Sequence, residues 1–410
     1  MMASEMIDVA IVGAGAAGLF AAIWAGRTQP KRRIVALDGA QKLGAKILVA
    51  GGGRCNVTHD HVDVSVYAGA SPNEIRKVLR RFDASQTVAF FRELGVELKR
   101  EETGKLFPTT DSARTILDAL LKAAQAVRVN IQHPCRVETI TKTGDNFYIR
   151  GEWGQLTARK VILATGGKSL PKSGSDGQGY KLAKALGHTL TERVFPALVP
   201  LTLPKDHFIC TLSGLTLPTT LEVRLGNGKK VISFTDSTLC THFGLSGPAV
   251  LDISRYFIDA QLSDPQTALL INWWPGQTSE TLGQALLAAG RATPLKLLRD
   301  GLPERLARVL CEQAEIETSM PSHQLTREQR KALVRLVTAF PLPITGNRGW
   351  NVAEVTAGGV PLSELDLNTL ESRICPGLHL CGEICDVDGR IGGYNFQWAW
   401  ASGYVAGVAA

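Results

Sequence analysis

Asp8-Val9-Ala10-Ile11-Val12 is an apolar run rich in β-branched residues, and it leads directly into Gly13-Ala14-Gly15. From Ala16 to Ala25, small and apolar residues recur at helical spacing; Ile34-Val35-Ala36-Leu37 is a second apolar run. The order predicted is strand, glycine turn, helix, strand. Residues 72–82 and 84–94 read as helices, with Gly95 as a C-terminal stop. Asp111 or Ser112 is placed to cap a helix over Ala113 to Ala126. From Val127 to Leu163 the pattern becomes strand-like, with turns at Lys142-Thr143-Gly144-Asp145 and near Gly154. That meander closes on Lys160-Val161-Ile162-Leu163-Ala164-Thr165-Gly166-Gly167, a buried strand entering a second glycine turn. Ser173-Gly174-Ser175-Asp176-Gly177 then opens a helix that ends at Gly187.

At Phe195-Pro196-Ala197-Leu198-Val199-Pro200 the texture changes. Prolines 196, 200 and 204 break the alternation, and short strands are expected to about residue 272. Residues 276–340 read as helical, from runs such as Leu282 to Ala289 and Arg327 to Ala339. The opening texture then returns. Val352 to Val360 is a strand running into Gly358-Gly359, and Gly377 to Glu383 is another with an acid just past it. Gly392-Gly393-Tyr394-Asn395 opens a last helix to about Ala409. The pattern predicts an α/β protein: a Rossmann-like nucleotide-binding domain split between 1–192 and 341–410, an inserted β domain over 193–274, and a helical insert over 275–340.

The 410 residues suffice for two or three domains with their own cores. An apolar content of 44% with 20% charged residues belongs to a globular chain, not a disordered one. No apolar run approaches a membrane span of about 20 residues, and Met1 to Glu5 lacks the basic start and apolar core of a secretory leader. A cytoplasmic protein is expected. The eight scattered cysteines suit reduced thiols better than a disulfide framework. Cys375, His379, Cys381 and Cys385 cluster, but not at a zinc spacing, so no metal is expected. The net charge of +7 draws attention to two basic stripes at helical spacing. One is Arg76, Lys77, Arg80 and Arg81; the other is Arg327, Arg330, Lys331 and Arg335. Each is either a solvated helix face or an attraction for a polyanion such as RNA.

The glycines carry the candidate chemistry. Gly13 permits a tight turn, Gly15 lets a pyrophosphate approach the backbone, and Gly18 lets helix and strand pack closely. The phosphates would face the N–H groups around Ala16 and Ala17 and the positive end of the helix. GxGxxG alone is weak. Here the second strand also ends on Asp38, twenty residues past Gly18, where a carboxylate can hold an adenosine ribose. Ala164, Thr165 and Gly166 can lie against the same dinucleotide. Gly51-Gly52-Gly53-Arg54-Cys55-Asn56 permits unusual backbone angles or close approach of something flat or phosphorylated. In it Arg54 could neutralise a phosphate and Asn56 could donate to a carbonyl. Cys55 is either a small buried residue or a thiol placed to pass a proton to substrate. Gly392 and Gly393 aim a helix start at one point, and Glu383 is placed for a ribityl or phosphate group. His242 is equally an acid–base residue or a hydrogen-bonded structural one.

Together these pieces resemble the BaiN/YhiN-like flavoproteins, bacterial NAD(P)/FAD-dependent oxidoreductases of the wider glutathione-reductase-like group. The resemblance runs from Asp8 to about Gly407, broken mainly in the helical insert. Its marks are the 51–56 glycine loop, Thr241-His242-Phe243-Gly244-Leu245-Ser246-Gly247-Pro248, Thr356-Ala357-Gly358-Gly359-Val360, Gly382-Glu383 with Asp386-Val387-Asp388-Gly389, and Gly392-Gly393-Tyr394-Asn395. Two departures are Asp38, where glutamate is more usual, and Cys240, where phenylalanine is common. The resemblance implies tightly held FAD and a β-barrel-like plus helical insertion over the flavin face. Its cofactor-binding set here would be Gly13, Gly15, Ala16, Ala17, Gly18, Asp38, Lys46, Gly52, Gly53, Arg54, Asn56, Ala164, Thr165, Gly166, Gly382, Glu383, Gly392, Gly393, Tyr394 and Asn395.

It also implies reduction of an activated C=C bond. Some members are linked to dihydrouridine in 23S ribosomal RNA, others to a conjugated steroid acid. Cys55, His242 and Tyr394, in that order, are the candidate acids. One GxGxxG after a proper strand leaves no separate NAD(P)H domain, so a nicotinamide donor would visit the flavin transiently. A dithiol mechanism is not expected without a flavin-facing CxxC. Ribosomal RNA is the leading expected substrate and a small unsaturated carbonyl compound the second. A flavin-bearing RNA-binding or assembly protein is a third reading, from a different class.

Overall fold

A computed structural model describes residues 6–410. Met1–Glu5, read above for a leader, lie outside the described residues. The chain forms two compact units, one of residues up to Pro196 together with Trp350–Ala410, the other Ala197–Gly349.

In the first unit, five parallel strands stand side by side in the order Leu378–Leu380, Gly154–Leu163, Ile7–Val12, Ile34–Leu37, Asn130–Gln132. Ile7–Val12 and Ile34–Leu37 are almost wholly apolar, as strands covered on both faces must be. Their register sets the site. Val12 pairs with Leu163 on one side and Leu37 on the other, and Leu163 pairs with Leu380. Leu37 also pairs with Gln132, so all five strands end level, and the next residues in the chain are Gly13, Asp38, His133, Ala164 and Cys381. Ligands of open parallel sheets bind beyond such carboxyl ends.

Helix Ala16–Thr28 follows the first strand, and helix Tyr394–Ala409 ends the chain. The two pack closely because their contact is made of small residues. A Cβ at Gly403 would lie 2.7 Å from the Ala17 carbonyl oxygen, and one at Gly407 2.3 Å from that of Ala21. Backbone-to-backbone approach at these points joins the two ends of the chain. Phe20 packs among Phe82, Phe90 and Trp400 beside that seam, with ring centroids 4.7–5.3 Å apart.

The expected helices lie at Pro72–Leu79, Ala84–Glu93, Ala113–Ala126 and Gln178–Ala185. Thr139–Thr143, Asn146–Gly151 and Gly154–Leu163 form the meander. Neither Asp111 nor Ser112 caps the third helix by its side chain: Ser112 is at the cap position without a side-chain bond, and Asp111 takes a left-handed angle.

The second unit holds a seven-stranded antiparallel sheet. Its order is Phe340–Pro341, Ala268–Asn272, Thr216–Arg224, Lys230–Thr241, Gly244–Ser246, Leu201–Thr202, Gly346–Asn347. The two outermost strands are joined by residues 342–345, so the sheet curls until its edges come near each other. The expectation of short strands as far as about residue 272 is corrected here: Pro248–Ser263 is a sixteen-residue helix. Pro248 takes the first helical position, which tolerates proline. Ala249, Val250, Ile253 and Phe257 then give it a buried face. Helices Ser279–Ala288, Pro294–Leu298, Glu304–Gln313 and Arg327–Thr338 follow. They share one buried cluster with the sheet, which includes Leu221 and Ile271 of the strands and Leu282, Leu310 and Leu333 of the helices.

Candidate active site

The first glycine turn shows which glycines the fold needs and which it leaves open. A Cβ at Gly13 would lie 2.5 Å from the Ala164 carbonyl oxygen, and one at Gly18 1.8 Å from that of Gly13. Both positions are closed by protein. At Gly15 an added Cβ would meet nothing within 4 Å. The protein itself therefore does not require glycine there, as expected of a position kept bare for a ligand. No side chain caps helix Ala16–Thr28, and Gly15 is its N-cap. Its first N–H groups and dipole thus point into that open space.

Asp38, at the end of the second strand, accepts from the Ala14 N–H at 2.6 Å through one oxygen and from the Ala40 N–H at 2.8 Å through the other. The short carboxylate pins the turn while keeping lone pairs for a ribose hydroxyl. Across the sheet, Ala164–Gly166 passes against the same turn. A Cβ at Gly166 would lie 2.7 Å from Ser175 Oγ, a buried hydroxyl without a hydrogen-bond partner.

The glycine loop folds tightly. Gly51 and Gly52 take φ of 57° and 68°, and Cys55, without a glycine's freedom, takes 61°. The backbone of Gly51, Gly52 and Gly53 is exposed, whereas Cys55 is fully buried and Asn56 nearly so. Burial pushes the Cys55 thiol up to about 12, so it keeps its proton at neutral pH. Asn56 Oδ1 is buried without a hydrogen-bond partner, beside Gly393, where a Cβ would lie 2.8 Å from it. An acceptor stranded between two glycine turns is costly unless a donor comes to it.

Arg54 is engaged within the protein. It bonds Glu101 at 2.6 Å, stands 3.8 Å from Asp111, and its guanidinium lies 4.0 Å from the Phe107 ring centroid. Asn395 is similarly engaged, accepting from and donating to the Gly389 backbone at 2.8 Å each. Tyr394 stacks on His59 at 4.9 Å, and its carbonyl accepts from Tyr67 Oη at 2.9 Å.

Lys46 and Glu383 form an ion pair. Ser169 Oγ lies 2.7 Å from each of them, and the Thr356 N–H donates to Glu383 at 3.0 Å. Ser169 and Thr356 had no place in the sequence-derived set, although Thr356 opens one of its motifs. Gly382 donates to Ser402 Oγ at 2.9 Å, fixing the turn before Glu383 onto the last helix. In the second unit, His242 is exposed at the tip of the hairpin between Thr241 and Gly244, its ring edge-on to Phe243 at 5.1 Å. Cys240 is buried below that tip, and burial pushes its thiol up to about 12.

The arrangement fits a dinucleotide: a bare turn with an uncapped helix, an acid at the second strand, and two stranded polar atoms along the strand ends. Comparison with known proteins gives the group a name. The model of the HI0933-like protein Rossmann domain matches residues 7–409. The chain belongs to the HI0933-like family. Among HI0933-like relatives, a 3-dehydro-bile acid delta(4,6)-reductase of Clostridium scindens is 36% identical over 99% of both chains. A ribosomal RNA dihydrouridine synthase of Escherichia coli is 34% identical over 98% of this chain and 97% of its own. One of the same description from Haemophilus influenzae is 31% identical over 99% and 98%. A 3-ketosteroid delta1-dehydrogenase of Sterolibacterium denitrificans shares the fold, with a TM-score of 0.55 at 12% identity over 99% of this chain and all of its own.

HI0933-like membership makes the chain an FAD-dependent oxidoreductase of the BaiN/YhiN-like flavoproteins with a Rossmann-type nucleotide fold. No described helix is long and apolar enough to cross a membrane. Among the described residues no group of three or more His, Cys, Asp or Glu side chains could hold a metal ion.

Proposed function

We propose that this chain reduces an activated C=C bond, and that the bond is C5=C6 of a uridine in ribosomal RNA. The observation that carries the reading is the full-length likeness to two rRNA dihydrouridine synthases and a bile-acid reductase, whose named reactions share saturation of a conjugated double bond. FAD, when bound, supplies the hydride. Gly13, Gly15 and the start of helix Ala16–Thr28 would hold its pyrophosphate, Asp38 its adenosine ribose, and Asn56 Oδ1 would accept a ring N–H. Glu383, held by Lys46, Ser169 and Thr356, would face its ribityl or phosphate region. NAD(P)H is the proposed transient source of electrons.

In uracil, C6 lies at the far end of a double bond conjugated to the C4 carbonyl, so it accepts hydride and charge builds toward C5. A proton must then reach C5. Cys55 is the first residue to test as its donor: its Sγ keeps the proton at neutral pH and it sits within the glycine loop. His242 and Tyr394 remain the second and third candidates in this reading. A stacked base cannot be reached by a flavin, so the uridine would be presented from unstacked RNA.

The test is mass spectrometry of ribosomal RNA from cells with and without the gene. Loss of one dihydrouridine, restored by the intact gene, is expected. An unchanged modification profile, with NAD(P)H oxidation driven by small enones, would move the substrate to an unsaturated carbonyl compound. That second reading is favoured by the bile-acid reductase, the relative with the highest identity of the three. Salt-sensitive RNA binding without turnover would instead indicate a flavin-bearing assembly protein.

A further inference from the structure

We propose that the groove between helices Ser279–Ala288 and Arg327–Thr338 is a phosphate-binding track for single-stranded RNA. The inference rests on the RNA reading above and gives it a contact surface in the second unit. The groove encloses about 340 Å³; Arg330, Lys331 and Arg335 line one wall, Ser279 and Gly283 the other, and Val334 lies between. Helix Arg327–Thr338 is set firmly. Thr326 Oγ1 accepts from the Gln329 N–H at 3.1 Å and Gln329 accepts from the Thr326 N–H at 3.1 Å. Leu333, Val334 and Val337 bury its inner face, which turns the basic positions away from the core.

These cations are unspent. Among the described residues, the side chains of Arg327, Arg330, Lys331 and Arg335 make no hydrogen bond or ion pair, whereas those of Arg255, Arg299 and Arg308 of the same unit are paired with Asp259 and Glu304. Glu280 and Glu328 are the acids of the two helices, and neither lines the groove. Four like charges on twelve residues repel one another, and an external polyanion relieves that repulsion. Lys331 and Arg335 stand one helical turn apart and can engage neighbouring phosphates of one strand. Opposite them an added Cβ at Gly283 would meet nothing within 4 Å, leaving bare backbone where a sugar-phosphate chain can approach. A small steroid acid carries one charge and needs no such row. A nucleic-acid strand does.

The test uses the full-length flavoprotein and a short uridine-rich RNA labelled at one end, with anisotropy read across a sodium chloride series. Replacing Arg330, Lys331 and Arg335 together by Ala removes three phosphate contacts. The slope of log affinity against log salt should then flatten by about 2, at roughly 0.7 per contact on single strands. Flavin absorbance and thermal midpoint should stay at wild-type values, and Lys331→Glu should weaken binding more than Lys331→Ala. Wild-type affinity and slope in the triple variant, or no RNA binding by the wild type, would overturn the proposal. So would equal capture of polyglutamate and RNA. The catalytic reading fails separately: RNA binding that maps to this groove, with unchanged dihydrouridine in cells lacking the gene, leaves the groove and removes the reaction.

Discussion

Lys46 and Glu383, 337 positions apart in the chain, meet in an ion pair that ties the segment behind the second strand to the turn before the last helix. Ser169 bridges the two at 2.7 Å to each, and the Thr356 N–H adds a bond to the carboxylate at 3.0 Å. The pair is mostly shielded from water, so removing one partner strands the other. Lys46→Met should cost about 1–3 kcal/mol, lower the thermal midpoint of the apoprotein and reduce flavin retention. Joining it to Glu383→Gln should recover part of that loss, because no uncompensated charge then remains. Thermal melts of the two single variants and the double variant measure the coupling; strict additivity would show that the pair contributes nothing.

Gly15 and Gly18 should respond oppositely to a side chain. Gly15 has open space at its Cβ position and a φ of −78° that any residue adopts. Gly15→Val should therefore fold with a near-normal apoprotein midpoint and yet purify colourless. Gly18→Ala would put a methyl 1.8 Å from the Gly13 carbonyl oxygen and force helix and strand apart, so it should lower the apoprotein midpoint itself. Flavin absorbance per mole and apoprotein melting separate the two effects. Full flavin retention by Gly15→Val would remove the turn from the phosphate site.

The contrast between these positions marks what sequence can reveal. The first strand, turn and helix are legible because every device is local: an apolar run, a glycine where φ is positive, small residues at helical spacing. Helix Pro248–Ser263 is missed when the short-strand texture that follows Pro196, Pro200 and Pro204 is carried on to about residue 272, although Pro248 suits a first helical turn. Local pattern names elements but not shared cores, so nothing in it shows Leu221 of the sheet packing in one cluster with Leu333 of the last inserted helix. The family resemblance marks Lys46 and Glu383 each as ligand residues, but a pairing across 337 positions leaves no periodic trace. Arg54 and Asn395 show the same gap: their residue types suit a ligand, and their bonds to Glu101 and to the Gly389 backbone are not visible in local pattern.

Cys55 gives a prediction about proton delivery. Its thiol is fully buried and raised to about 12, so iodoacetamide should leave it unmodified in the native protein at neutral pH. If it is the donor to carbon, Cys55→Ala should lower turnover by about 10²–10⁴ while NAD(P)H still bleaches the flavin at the wild-type rate. Stopped-flow measurement of the two half-reactions makes the distinction. A slowed reductive half-reaction would mean that the substitution disturbs flavin binding, and unchanged turnover would pass the role to Tyr394 or His242.

His379 sets an acid limit on stability. Its Nδ1 lies 2.9 Å from the Thr369 carbonyl, so that nitrogen carries the proton, while Nε2 is buried with no partner. Burial lowers its pKa below the usual value of 6.5 and outweighs the Thr369 bond and Glu371, which pull the other way. The unfolded chain therefore takes up a proton before the folded one does. The stabilising contribution is complete above about pH 6.5 and is lost progressively as pH falls toward the lowered folded value. His379→Gln can still donate to the Thr369 carbonyl but does not titrate. Between pH 7.5 and pH 5.5, on the order of one decade either side of the reference value, the wild-type midpoint should fall further than that of the variant. Parallel curves would mean that water or a structural opening already reaches Nε2 in the folded state.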